Sequence, residues 1–114
     1  MRGSGALGQQ FATIVLTNTG QISCWLVGYP AVRLRAKGTY LGAPAAPARS
    51  NRPVLKLAPV SRAEARLHGP TTCNAALSDT VRISAPGQSA FTDVALVMRG
   101  CALIIDAFTA SRTG

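Results

Sequence analysis

The one stretch of this sequence with strong helix propensity, Ser61–Leu67 (SRAEARL), is short and is closed off by Pro59 and Pro70. Nucleating a helix is costly, so a helix confined to that window is marginal, and a strand or a single turn is expected instead. Elsewhere the apolar residues come in short, β-branched runs that end at turn residues. Phe11–Thr17 (FATIVLT) stops at Asn18-Thr19-Gly20, and Cys24–Tyr29 (CWLVGY) stops at Pro30, which has no N–H to give a ladder. Ala31–Ala36 alternates strictly, Lys37-Gly38 reads as a turn, and Thr39–Leu41 returns. Val54–Leu57, Thr80–Ala85 (ending at Pro86-Gly87), Ala90–Met98 and Ala102–Phe108 complete the set. This spacing predicts an all-β chain, a β-sandwich of about seven to eight short antiparallel strands. Residues 43–53 carry three prolines and no hydrophobic period, and read as a surface loop of polyproline character.

The chain has 114 residues, room for one domain and one core. Met1-Arg2-Gly3-Ser4 reads as an expression leader, which leaves residues 5–114 as the domain. Charged residues are only 14% against about 25% in ordinary proteins, and twelve Lys and Arg face four acids, for a net charge of +8. A field of that sign attracts polyanions without naming one. No apolar run reaches the roughly 18 residues of a membrane helix.

Catalytic chemistry has little to work with. Gly3-Ser4-Gly5-Ala6-Leu7-Gly8 fits a dinucleotide-binding spacing, but that motif needs a strand before it and only the leader stands there. His68 is the sole histidine and reads as part of a His68-Gly69-Pro70 loop. With Cys24, Cys73 and Cys101 it lacks the paired short spacings of a zinc site, so no metal and no cofactor are expected. Glu64, Asp79, Asp93 and Asp106 are the only acids, and a carboxylate pair would have to be assembled across the fold. No catalytic residue is assigned, and the chain is expected not to be an enzyme. Trp25 and Tyr29, in a β-like run, are expected to fill the core.

Asn18-Thr19-Gly20 followed by Cys24-Trp25-Leu26-Val27-Gly28-Tyr29-Pro30-Ala31-Val32 resembles the domain of unknown function 4232 family of actinobacterial secreted proteins and lipoproteins. The likeness continues through Leu41-Gly42-Ala43-Pro44, Leu57-Ala58-Pro59, Cys73, Pro86-Gly87 and Cys101. It implies an immunoglobulin-like sandwich outside the cytoplasm, secreted or lipid-anchored to the cell envelope, and it implies no activity. Two departures stand out. Val60 occupies a position where the family usually has glycine, and a further cysteine usual near the start of the first strand is missing. The domain is therefore expected to be truncated at its N-terminal edge, with Phe11–Thr17 an exposed edge strand on which a second chain could dimerise.

Cys73 lies before the strand Thr80–Ala85 and Cys101 after the returning strand Ala90–Met98. An up-and-down pair puts both at one end of a sheet, so a Cys73–Cys101 disulfide is expected, with Cys24 a free thiol; in a reducing compartment all three stay free. Function is then expected to be that of a non-enzymatic extracytoplasmic interaction or structural module. The alternative is an anion-binding module for anionic lipids or envelope polymers, and a small enzyme is the third reading. Nucleic acid is a poor partner, because the aromatics are too few for a stacking platform. The candidate binding residues are Arg33, Arg35 and Lys37, expected to project from one strand face, with Arg49, Arg52 and Lys56 extending the patch.

Overall fold

A computed structural model describes residues 9–71, 76–100 and 102–110. The strands are β1 (Gln9–Thr17), β2 (Cys24–Val27), β3 (Ala31–Ala36), β4 (Thr39–Tyr40), β5 (Ala46–Pro47), β6 (Val54–Leu57), β7 (Arg62–Pro70), β8 (Thr80–Ser84), β9 (Thr92–Ala95), β10 (Ile104–Ile105) and β11 (Thr109–Ala110). They form a sheet of order β1-β7-β10-β5 with β11 also on β7, a β2-β6 ribbon, and a sheet of order β4-β3-β8-β9. None of the sheets is closed, and the fold is an all-β sandwich. Every pairing is antiparallel except β5 with β10.

One core joins all three sheets. Ile14, Ala63, Ala65, Leu67 and Ile105 enter it from the first sheet, Leu26 and Leu57 from the ribbon, and Val32, Leu34 and Val81 from the third. The side-chain period of two decides this. In β7 it places Ala63, Ala65 and Leu67 inside and Arg62, Glu64, Arg66 and His68 outside. That alternation, locked by a nine-residue register with β1, overrides the helix propensity of the same residues. It also draws His68 into the strand, so His68-Gly69-Pro70 is not a loop.

Trp25 is likewise not in the core. Leu26 takes the inward position of β2, so its neighbour must face out, and Trp25 is 62% exposed. Tyr29 does pack on the core, with its hydroxyl donating to Asn51 Oδ1 at 2.8 Å. The proline-rich segment is less free than a polyproline loop. Its alanines supply the donors that its prolines lack: Ala45 N bonds Val32 O in the third sheet, while Ala46 N and Ala48 N bond Leu103 O and Ile105 O beside the first. The segment thereby stitches the two sheets together.

Two turns follow their residue chemistry. Lys37 and Gly38 both have positive φ, the requirement of a type I′ hairpin turn between β3 and β4. Ala85 O accepts from Gln88 N across Pro86-Gly87, with Gly87 at φ 73°, as a type II turn demands. Asn18 ties the ends of four strands. Its Nδ2 donates to Ile22 O and Leu57 O, its O accepts from Val60 N, and its N donates to Ser61 O.

Candidate functional site

The outer face of the β4-β3-β8-β9 sheet gathers three arginines, two aromatic rings and one carboxylate. Arg33 on β3 stands opposite Arg82 on β8, and Arg82 stands opposite Asp93 on β9. Like charges directly across a ladder repel, and Asp93 offsets this. Arg82 grips it with two parallel bonds, Nε to Oδ1 at 2.9 Å and Nη2 to Oδ2 at 3.0 Å. Arg35 Nη1 reaches the same Oδ2 at 3.3 Å, and its Nη2 donates to Gly38 O at 2.7 Å. Tyr40 lies beneath the cluster: the guanidinium of Arg33 is 4.2 Å from its ring, that of Arg35 5.4 Å, and Arg82 Nη1 donates to its hydroxyl at 3.2 Å. Arg82 also stacks on Phe91 at 3.7 Å. Each such contact favours the cation.

The cluster keeps a positive excess, because one carboxylate serves three guanidiniums. Arg33 spends only its Nε, on Gly42 O at 3.1 Å. A cavity of about 180 Å³ opens beside it, lined by Arg33, Tyr40, Pro44, Arg82 and Ser84. Two guanidiniums and the hydroxyls of Tyr40 and Ser84 are groups that hold a phosphate, sulfate or carboxylate.

The predicted residues separate into groups. Arg33 and Arg35 share this face as expected from the alternation. Lys37 does not continue the row: β3 ends at Ala36, and Lys37 turns through φ 52°, where its backbone N donates to Asp79 Oδ2 at 2.8 Å. Arg49 and Arg52 are exposed in the proline-rich segment. Lys56 lies on the β2-β6 ribbon, its Nζ 5.7 Å from the Trp25 ring. Arg82, Asp93, Tyr40 and Phe91 belong to the face and were not singled out by the sequence. Cys24 is a half-buried free thiol opposite Leu57, and Cys73 and Cys101 lie outside the described residues.

A second cluster lies on the outer face of the first sheet. His68 Nε2 is 3.1 Å from Asp106 Oδ1, and Glu64 and Asp106 line a common cavity of about 290 Å³ with Thr13, Arg66 and Thr109. Among the described residues no three His, Cys, Asp or Glu side chains are placed to hold a metal ion.

The ionic contacts set a pH dependence. Arg82's hydrogen bonds hold the Asp93 carboxyl below its ordinary value of 3.8, and the Lys37 backbone amide does the same for Asp79. A carboxyl lowered in this way adds stability above its unfolded value and loses it as pH falls through the folded one. Asp93→Asn should therefore be less stable than the parent at neutral pH, and the gap should close as the pH drops below 3.8. Denaturant unfolding across that range checks this.

These features define a small β-sandwich carrying an arginine–aromatic face. The chain belongs to the family described as domain of unknown function (DUF4232), whose model matches residues 1–106. No curated protein and no solved structure matches it. Among the described residues, no helix is long and apolar enough to cross a membrane.

Proposed function

We propose that this domain is a non-enzymatic interaction module that works outside the cytoplasm, secreted or tethered to the cell envelope, and that its ligand is anionic. The observation that carries the reading is the excess of guanidinium over carboxylate around Tyr40, with Arg33 left free to turn its two terminal nitrogens to a ligand. The resemblance to secreted and lipid-anchored relatives supports the location. The acids support the non-enzymatic part: Asp93 and Asp79 are held by basic or backbone groups, and His68 bonds Asp106 rather than a hydroxyl or thiol.

Arg33 and Lys37, which is exposed in the adjoining β3-β4 turn, are the residues to test, because Arg35 is ion-paired to Asp93 and cannot be removed silently. On an immobilised sulfated polysaccharide the parent should be retained at low salt and released as salt rises. Each basic residue near an anionic surface contributes about 1 kcal/mol, so replacing Arg33 and Lys37 by Gln should weaken binding by about 2 kcal/mol, roughly 30-fold. A parent that is not retained, or a double variant retained equally well, removes the reading.

A further inference from the structure

We propose that the β2-β6 ribbon docks on an anionic lipid surface, with Trp25 entering the headgroup layer. The ribbon's outward face carries Trp25 opposite Lys56 and Val27 opposite Val54, and all three apolar side chains are exposed. Its end carries Ile22 and Val60, 79% and 81% exposed. Both are fixed by Asn18, which donates to Ile22 O at 2.9 Å and to Leu57 O at 3.0 Å, and accepts from Val60 N at 2.8 Å.

Val60 is the telling residue. Its φ is 68°, in the left-handed region where a β-branched side chain is strained. The fold therefore bears backbone strain there and leaves the isopropyl group in water as well. The bond from Val60 N to Asn18 O holds the backbone in this conformation, but among the described residues nothing covers the side chain. A surface that buries the ribbon's apolar end would cover it.

Charge selects the partner. The first acid in the sequence is Glu64, so the whole stretch that builds the ribbon and its flanking loops carries bases alone, Arg49, Arg52 and Lys56 among them. An apolar ridge that bears Lys56 and is built from a stretch of sequence without an acid matches a bilayer with anionic headgroups. Trp rings favour that boundary, and a Lys stem can lie along apolar surface while its ammonium reaches phosphate.

This surface is separate from the arginine face, and Trp25 reports on it directly because it is the only tryptophan. With phosphatidylcholine vesicles containing about a third phosphatidylglycerol, its emission should shift to shorter wavelength and be quenched by brominated acyl chains. Pure phosphatidylcholine should leave it unchanged. Val60→Gly should melt higher than the parent, since it relieves the strain, yet bind these vesicles about tenfold more weakly through the lost side chain. Gain of stability with loss of binding cannot come from misfolding. The Arg33→Gln/Lys37→Gln protein should keep the Trp25 shift. Vesicle binding with unshifted Trp25 emission, or binding lost with Arg33 and Lys37 but kept by Val60→Gly, would give the lipid to the arginine face and overturn the proposal. No binding to anionic vesicles overturns it too, while retention on the polysaccharide decides the first reading independently.

Discussion

Leu67→Ala is expected to lower the stability of this domain by about 3–5 kcal/mol, a large part of the roughly 5–15 kcal/mol that holds a domain folded. Leu67 is 0% exposed and lies in β7, the strand on which the first sheet is assembled. Its backbone stands between Ala12 of β1 and Ile105 of β10. The inward positions of β7 on either side are Ala65 and Gly69, with Ala63 beyond, so Leu67 is the one large inward side chain of that strand and no bulky neighbour in it can fill the hole. The loss combines the transfer of the side chain with the cavity it leaves. Leu67→Met, which conserves volume, should cost less than about 1.5 kcal/mol. Val97→Ala, at a position 67% exposed, should change stability by no more than about 0.5 kcal/mol. Denaturant unfolding of the three proteins measures all of this, and a Leu67→Ala loss as small as that of Val97→Ala would contradict the packing.

The strands were largely legible because local signals agreed with the fold. The bounds of β3 and β6 coincide with the alternating run Ala31–Ala36 and the short run Val54–Leu57, and β8 falls one residue short of Thr80–Ala85. Besides the His68-Gly69-Pro70 and proline-rich loops, what failed depends on parity or register. Period-two patterning says that Trp25 and Leu26 face opposite ways, but it does not say which is inward; burial of Leu26 against the core decides that. The Arg82–Asp93 pair was hidden for a similar reason. A hairpin closed tightly on Pro86-Gly87 would set Arg82 opposite Phe91. The actual register sets it opposite Asp93, with Phe91 close enough to stack on the same guanidinium. Arg82 itself left a trace, as an outward charge between the inward Val81 and Ile83. The face that carries the proposed function was thus half readable: Arg33 and Arg35 from one strand's alternation, their partners only from the pairing of the next two.

Gln10→Leu is expected to cost about 2–3 kcal/mol, although its position next to exposed Gln9 gives no hint of it. Gln10 is buried at the start of β1, and its carboxamide serves as a short piece of strand for a distant segment. Its Nε2 donates to Arg99 O at 2.8 Å and to Pro70 O at 3.2 Å, and its Oε1 accepts from Arg99 N at 2.9 Å. Both backbone groups of Arg99 are thus met by one side chain across 89 residues of sequence. Leucine fills nearly the same volume but offers neither donor nor acceptor, so three part-buried bonds vanish at about 1 kcal/mol each, partly offset by the apolar burial of the new side chain. Gln9→Leu, one residue away and facing out, should cost almost nothing. Arg99 also forms a bridge with Leu77, so the damage should spread to that edge. Amide exchange at Leu77 and Arg99 should speed up in Gln10→Leu before exchange in β7 does. Equal stability of the two leucine variants, or exchange that accelerates uniformly, would show that the carboxamide does not anchor this segment.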